Sequence, residues 1–120
     1  MSDIFRTVED PRGIKVILTK TCYQRHIARR HPDIACFLES FLETVSAPDY
    51  VYEDSGETLH YIRRIPDDMA RYFTEQTRYF EVPVRRMRQP RSFFWGIATF
   101  FTITEDQLST RREGWKKWRG

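Results

Sequence analysis

The chain lacks any long apolar segment. No stretch of it approaches the roughly 18 consecutive apolar residues of a membrane-spanning helix. Its start, MSDIFRTVED, has neither the basic nor the apolar region of a secretory signal peptide. We therefore expect a cytoplasmic protein with no membrane partner.

Cysteine, glycine and proline are also scarce. Two cysteines, Cys22 and Cys36, in a chain without an export signal indicate reduced thiols rather than a disulfide framework. With 5 Gly, 6 Pro and 15% aromatic residues, the composition is that of a folded chain rather than a disordered one. At 120 residues we expect a single domain, because either half alone would be too small to bury a core.

Several catalytic and cofactor motifs are absent from the sequence: GxxxxGK[ST], GxGxxG, HExxH, GxSxG and CxxC. Cys22 and His26 lie four residues apart, with His31 and Cys36 nearby. Structural zinc sites, however, need four ligands and usually include a close cysteine pair. The sequence therefore predicts no metal site and no cofactor.

The charge of the chain is moderately positive and unevenly distributed. The net charge is +3 and the pI is about 9.0. One basic cluster holds Arg85, Arg86, Arg88 and Arg91, and a second occupies residues 111–120. A polyanionic partner would have to contact these two clusters.

The hydrophobic pattern predicts a loose arm at residues 1–13, a core at 14–104 and a basic aromatic tail at 105–120. Within the core it predicts a strand at 14–18 and a helix from Thr21 to about His31, with Gln24 completing a capping box. Apolar residues at helical spacing predict a second helix over 34–45. Strands are predicted at 50–52, 59–65, 78–86 and 93–104, and the Thr104–Gln107 pair begins a C-terminal helix.

These elements predict an α+β fold. Two N-terminal helices would pack on one face of a four-stranded antiparallel sheet, with a short extra N-terminal strand and a short basic C-terminal helix. Phe37, Leu38, Phe41 and Leu42 would be buried against the sheet. Pro83 cannot donate a ladder hydrogen bond, so its strand would be at an edge or bulged there.

The segment from Gln24 to His31 is the most unusual in the chain, because it combines histidines with arginines. His26 and Arg30 would share one helix face, where they could bind a phosphate and transfer a proton near neutral pH. A solvated basic helix with His31 at its C-terminal end explains the same residues.

The sheet and the tail carry further candidates. Strand alternation separates Tyr61 and Arg63 on one face from His60 and Arg64 on the other. Thr99 and Thr102 are hydroxyls on the last strand, although β-propensity alone explains them. In the tail, aromatic and cationic residues alternate in a pattern that suits stacking on bases or binding an acidic partner, or simply a frayed terminus: Trp115, Lys116, Lys117 and Trp118.

The chain resembles the barnase–EndoU–colicin–RelE-like nucleases, in their phage-associated or small toxin-like branches. The matching segments are VILTKTCYQRHIARRHPD at 16–33, SAPDYVYED at 46–54, LHYIRR at 59–64, YFEVPVRR at 79–86 and FWGIATFFTIT at 94–104. The resemblance implies metal-independent cleavage of RNA through attack by its 2′-hydroxyl.

The resemblance also implies roles for single residues. His26 or His31 would be the general acid or base, and Tyr61 would stack a base or donate a proton. Arg30, Arg63 and Arg85 would hold the phosphate, and Thr99 approximates a hydroxyl residue of the family's last strand. The remaining candidates would bind nucleic acid: Arg86, Arg88, Arg91, Trp115, Lys116, Lys117 and Trp118.

The partners implied are RNA and, for a toxin, an acidic antitoxin or other protein. Two alternatives remain open, because a fold alone does not establish an activity. The chain could be a non-catalytic nucleic-acid- or protein-binding module that retains the fold, or a small subunit of a larger assembly.

Overall fold

The computed structural model describes residues 3–30 and 32–118. The strands are β1 (Ile4–Glu9), β2 (Lys15–Thr19), β3 (Tyr50–Glu53), β4 (Leu59–Arg64), β5 (Thr77–Gln89), β6 (Ser92–Ile97), β7 (Phe101–Thr104) and β8 (Lys116–Lys117). The helices are α1 (Lys20–Cys22), which continues as a π-helix over Tyr23–Ala28, then α2 (Pro32–Ala35), α3 (Leu38–Ser46), a 3₁₀ helix (Asp67–Tyr72) and α4 (Glu105–Gly114).

The strands form one mixed sheet of eight, in the order β1-β2-β6-β5-β4-β3-β8, with β7 also paired to β5. All pairs are antiparallel except β2 with β6, which run parallel. The predicted four-stranded antiparallel sheet is therefore wrong, because the meander β3–β4–β5–β6 is only the middle of a larger mixed sheet.

The sheet is larger than predicted because both ends of the chain add strands to it. β1 lies in the segment predicted as a loose arm and pairs with β2. β8 lies in the predicted tail and pairs with β3, with Tyr52 opposite Lys117. Both strands have alternating or fully polar sequences, which gives them little hydrophobic signal.

The predicted strand over 93–104 is divided into β6 and β7. Both pair with β5, but residues 98–100 lie opposite residues 82–83, and the register shifts between them. Pro83 lacks the N–H that would continue the ladder, and its carbonyl instead accepts a hydrogen bond from Ala98 N at 2.9 Å. The interruption expected from Pro83 thus occurs in the partner strand, while β5 is central.

Helices cover both faces of the sheet, which corrects the prediction that they stack on one face. Phe80, Val82 and Val84 of β5 pack in a core cluster with α3. The alternate residues Tyr79 and Glu81 face the other side, where α4 packs. Because successive strand residues point to opposite faces, α3 and α4 lie on opposite sides of the sheet.

The predicted amphipathic helix is interrupted near Cys36. It forms α2 and α3, with Phe37 in a non-helical backbone conformation (φ −102°, ψ 23°) between them. Phe41 and Leu42 are buried as predicted, whereas Phe37 and Leu38 are only half-buried. The ring of Phe41 is stacked on that of Phe100, with their centroids 4.7 Å apart.

One of the two capping pairs predicted from the sequence forms in the structure, and the other does not. The Thr104–Gln107 capping box forms in full and begins α4, as predicted. The Thr21–Gln24 pair does not begin the first helix, since Thr19 caps it by accepting a hydrogen bond from Cys22 N.

Within residues 3–30 and 32–118, no helix is long and apolar enough to cross a membrane.

Candidate nucleic-acid interface

A large concavity lies where the parallel strands β2 and β6 end. Its volume is about 810 Å³, within the range of about 300–1,000 Å³ that is usual for ligand sites. We call it the cationic cleft, and its lining is Thr19, Thr21, Cys22, His26, Arg30, Arg85, Arg86, Met87, Arg88, Phe94, Gly96, Ile97, Ala98 and Thr99. The carboxyl ends of parallel strands are a common location for ligand sites, because loops diverge there.

The first helix brings His26 and Arg30 to this cleft. Ile27 is fully buried and anchors the helix to the core, so its neighbour His26 is exposed. The helix is π-helical over Tyr23–Ala28, a conformation that is rare and frequent at functional sites. His26 and Arg30 are thus held beside the cleft by a core contact that does not involve either side chain.

The β5–β6 hairpin supplies a second part of the cleft lining. Arg85 is directly opposite Gly96 across the ladder, and Met87 is opposite Phe94. These two pairs are adjacent on one face of the sheet, because they are two residues apart along each strand. A cation and an apolar surface therefore lie side by side in the cleft.

The charge of the lining is entirely positive. Four arginines and His26 contribute to the lining, and no aspartate or glutamate is found among the described residues that form it. Arginine presents five N–H donors in a planar group that suits phosphate oxygens. The electrostatics of this cleft favour a polyanion.

Neutral polar groups complete the lining. Thr19, Thr21 and Thr99 supply hydroxyls. Burial raises the pKa of the Cys22 thiol to about 11, and this thiol donates a hydrogen bond to the Ile97 carbonyl at 3.1 Å. Cys22 is therefore a neutral packing group near pH 7 rather than a nucleophile or metal ligand.

The structure brings together six of the residues predicted from sequence: His26, Arg30, Arg85, Arg86, Arg88 and Thr99. It leaves two others outside the cleft. Tyr61 is completely buried, and its hydroxyl donates to Asp10 Oδ2 at 2.7 Å. Arg63 pairs with Glu43 of α3 at 2.8 Å.

The other predicted residues are placed elsewhere. His31 lies outside the described residues, and Arg91 is exposed in the β5–β6 turn. Lys116 and Lys117 are exposed on the edge strand β8. Trp115 stacks on His60 with ring centroids 4.0 Å apart, and Trp118 packs against the main core, with the Arg12 guanidinium 4.5 Å from its ring centroid.

A second polar cluster, which sequence reasoning did not find, lies between the sheet and α4. His60 Nδ1 is 2.9 Å from Glu81 Oε2, and His60 Nε2 is 2.8 Å from Asp54 Oδ2. Arg111 Nε is 2.5 Å from the other Glu81 oxygen. Strand alternation predicted that His60 points away from the face that carries Tyr61. Nothing in the sequence indicated that Glu81 or Asp54 would lie on the same side of the sheet as His60.

This His60 cluster (His60, Glu81, Asp54 and Arg111) is structural. Glu81 is completely buried, so its charge requires the Arg111 guanidinium and the contact with His60. Hydrogen bonds from His60 together with those from the backbone of Thr58 and Gly56 hold the pKa of Asp54 below its ordinary value, despite the opposing effect of burial. The cluster joins β4, β5 and α4.

In the part of the chain that the structure describes, no group of three or more His, Cys, Asp or Glu residues is arranged to hold a metal ion. No protein-family model, curated protein or solved structure matches the chain.

Proposed function

We propose that the protein is a metal-independent endoribonuclease, toxin-like or phage-associated, of the barnase–EndoU–colicin–RelE-like kind. One observation carries the proposal: His26, Arg30, Arg85 and Thr99, selected from distant segments for this chemistry, all line one cleft. The absence of carboxylates from its described lining adds support, since RNA presents a phosphate at every nucleotide.

The proposed reaction begins at the ribose. His26 accepts the proton of the 2′-hydroxyl, whose oxygen attacks the adjacent phosphorus. The bond from phosphorus to the 5′-oxygen breaks, and solvent supplies the proton that this oxygen takes up. The products are a 2′,3′-cyclic phosphate and a 5′-hydroxyl end.

The arginines act on the charge that develops at phosphorus. Arg30 of the first helix and Arg85 of β5 both line the cleft, so a phosphate bound there would meet cations from two different elements. Groups placed in advance around a developing negative charge lower the barrier, because they need no reorganisation during the reaction. A toxin of this kind also implies an acidic antitoxin, whose carboxylates these arginines would pair.

Incubation of the pure protein with RNA in EDTA tests the proposal. We expect cleavage that leaves 2′,3′-cyclic phosphate ends, and no cleavage of an all-2′-deoxy substrate. His26→Ala should lower the rate by about 10²-fold or more, the typical contribution of a general base. Arg25→Ala is the matched control, because Arg25 is an exposed neighbour on the same helix outside the cleft lining. Equal cleavage of RNA and the deoxy substrate would exclude this mechanism.

A non-catalytic RNA-binding module is the second candidate. It is favoured by one observation: among the described residues that line the cleft, His26 is the single imidazole, so those residues supply one general base and no histidine as general acid. Salt-dependent binding of RNA by a folded protein that leaves the RNA intact would support this candidate over the nuclease.

A further inference from the structure

The floor of the cationic cleft contains an apolar surface that phosphate binding does not use. Met87 and Phe94 are opposite each other on β5 and β6, and both are half-buried. Each therefore keeps part of its side chain accessible from the cleft.

Gly96 explains how these side chains come together. A Cβ atom at this position would lie 2.6 Å from Met87 Cγ, closer than real Cβ atoms approach their neighbours, and 3.1 Å from Phe94 Cε2, which is a tight contact. The missing side chain leaves the space in which Met87 and Phe94 converge over the strand. We call this surface, formed by Met87 and Phe94 above Gly96, the cleft platform.

The cleft platform is next to the cations of the cleft. Arg85 is directly opposite Gly96 and precedes Met87 by two residues, so it shares their face of the sheet. Ile97 and Ala98 extend the apolar lining towards Thr99. The cleft therefore offers an apolar surface that includes one aromatic ring, within one residue pair of the Arg85 guanidinium.

We infer that the cleft platform binds one unpaired RNA base while the neighbouring arginines bind the backbone, so that the cleft selects single-stranded over double-stranded RNA. The inference rests on the proposed function, because it names the form of RNA that this site accepts. A nucleotide has the same two parts, a flat ring with an apolar face and an attached phosphate.

The selection for single strands follows from access to the ring face. In an A-form duplex the base faces are covered by neighbouring base pairs, whereas an unpaired base can turn outward and stack on an aromatic side chain. Stacking on a protein ring tolerates any base, because every base has a π-face. The cleft platform thus predicts strand selectivity without strong sequence selectivity.

Binding is measured on RNA in which fluorine replaces each 2′-hydroxyl, since this RNA cannot be cleaved by 2′ attack. Three probes of equal length are compared: the single strand, the same strand annealed to its complement, and a single strand with abasic residues. We expect the single strand to bind about tenfold or more tightly than the abasic strand, in line with base–aromatic stacking. The duplex should bind more weakly than the single strand.

Phe94→Leu removes the aromatic face but keeps an apolar side chain in the half-buried position. Phe93→Leu is the control, because Phe93 is the same residue type on the same strand, 51% exposed and outside the cleft lining. We expect Phe94→Leu to bring the affinities for the normal and abasic single strands together, while Phe93→Leu leaves their difference unchanged.

The results separate this inference from the proposed function. Equal wild-type affinity for normal and abasic strands, or for duplex and single strand, would overturn the cleft platform even if the enzyme cleaves RNA. The same conclusion follows if Phe94→Leu behaves like Phe93→Leu. Base-dependent binding without cleavage of natural RNA would support the platform and contradict the nuclease.

Discussion

At the residue scale, Tyr61 shows how a side chain suited to catalysis can be structural. Its hydroxyl donates to Asp10 Oδ2, while Asp10 Oδ1 accepts hydrogen bonds from the backbone N–H groups of Arg12 and Ile14. Asp10 is itself buried, so its carboxylate depends on these donors. Tyr61 thus fixes the turn that connects β1 to β2.

Tyr61→Phe is therefore expected to destabilise the protein by about 1–3 kcal/mol, the cost of leaving a buried acceptor without its donor. The rate of RNA cleavage by the folded variant should be unchanged. Chemical denaturation measures the free energy of unfolding, and Tyr72→Phe serves as control, because Tyr72 is 58% exposed. Loss of cleavage without loss of stability would return Tyr61 to the active site.

Two tyrosines contribute to the response to alkaline pH, together with the Cys22 thiol, whose pKa burial raises to about 11. Burial and the hydrogen bond to Glu105 raise the pKa of Tyr79 to about 12, and burial followed by the bond to Asp10 raises the pKa of Tyr61. An unfolded chain loses these protons near pH 10, roughly the ordinary tyrosine value. The folded state then holds more protons, so its stability falls as the pH rises from about 10 to 12.

Denaturant unfolding at a series of pH values, with tyrosinate absorbance followed in parallel, checks this expectation. Tyr79→Phe removes one group whose pKa is raised in the folded state. The free energy of unfolding of this variant should therefore fall less as the pH rises above about 10. A free energy of unfolding that stays constant over this pH range in the wild type would contradict the assignment.

His26, Arg30 and Arg85 could be selected from the sequence as candidate site residues, because histidines and arginines that lie close together in short segments are unusual in a core. The sequence was uninformative about Glu81, which alternates with apolar residues on β5 and looks like an ordinary solvent-facing acid. Its burial depends on α4 packing over that face. Such a tertiary contact leaves no local pattern.

At the element scale, the C-terminal segment is part of the fold. Trp115 covers His60, Lys116 and Lys117 pair with β3, and Trp118 N donates to the Val51 carbonyl at 2.7 Å. The aromatic and cationic pattern of this segment was interpreted from sequence as a surface for stacking or partner binding. In the structure its tryptophans contact the chain itself.

Truncation after Gly114 should consequently lower the free energy of unfolding by about 2–4 kcal/mol, since burial of one large apolar side chain contributes about 1.5–3 kcal/mol. Denaturant titration of the truncated chain gives this value. Lys116→Ala is the matched control, because this exposed side chain is removed while its backbone pairing is kept. Equal stability of the truncated and full-length chains would show that the segment is a free tail after all.

Most of α3 was predictable because it buries one apolar face, and β4 was predictable as a short run of β-prone residues after a turn, although both of its faces are buried over its first four residues. β1 and β8 were not predictable, because both are edge strands with little buried surface. Their place in the sheet comes from backbone hydrogen bonds, which depend little on residue type. Pro83 predicted an edge position or a bulge for its own strand, and this was wrong. β5 is central, and the extra residue lies in the partner segment 98–100.

At the scale of the whole molecule, positive charge is concentrated in one cleft although the net charge is only +3. RNA affinity should therefore depend strongly on salt concentration, and a small number of arginines should account for this dependence. Each phosphate contact with a single strand contributes about 0.7 to the slope of log K against log salt. The arginines of the cleft determine that slope.

Arg85→Ala is expected to reduce the magnitude of this slope by about 0.7, the contribution of one phosphate contact. Arg91→Ala should leave it unchanged, because Arg91 belongs to the same sequence cluster but lies outside the cleft lining. Fluorescence anisotropy at several salt concentrations gives both slopes. Equal effects of the two variants would show that RNA binds over the hairpin rather than in the cleft.

The parallel pairing of β2 with β6 determines how early in folding the cleft can form. Val16 lies opposite Trp95 and Ile17 opposite Gly96, so the two strands that end at the cleft are separated by most of the chain. Contacts this distant in sequence form slowly, because a long loop must close before they stabilise anything. The residues of the first helix are synthesised long before those of β6, and Ile27 of that helix packs in a core that the later strands complete. Under the proposed function, a chain that has not yet formed β6 would therefore lack the cleft and be inert towards RNA.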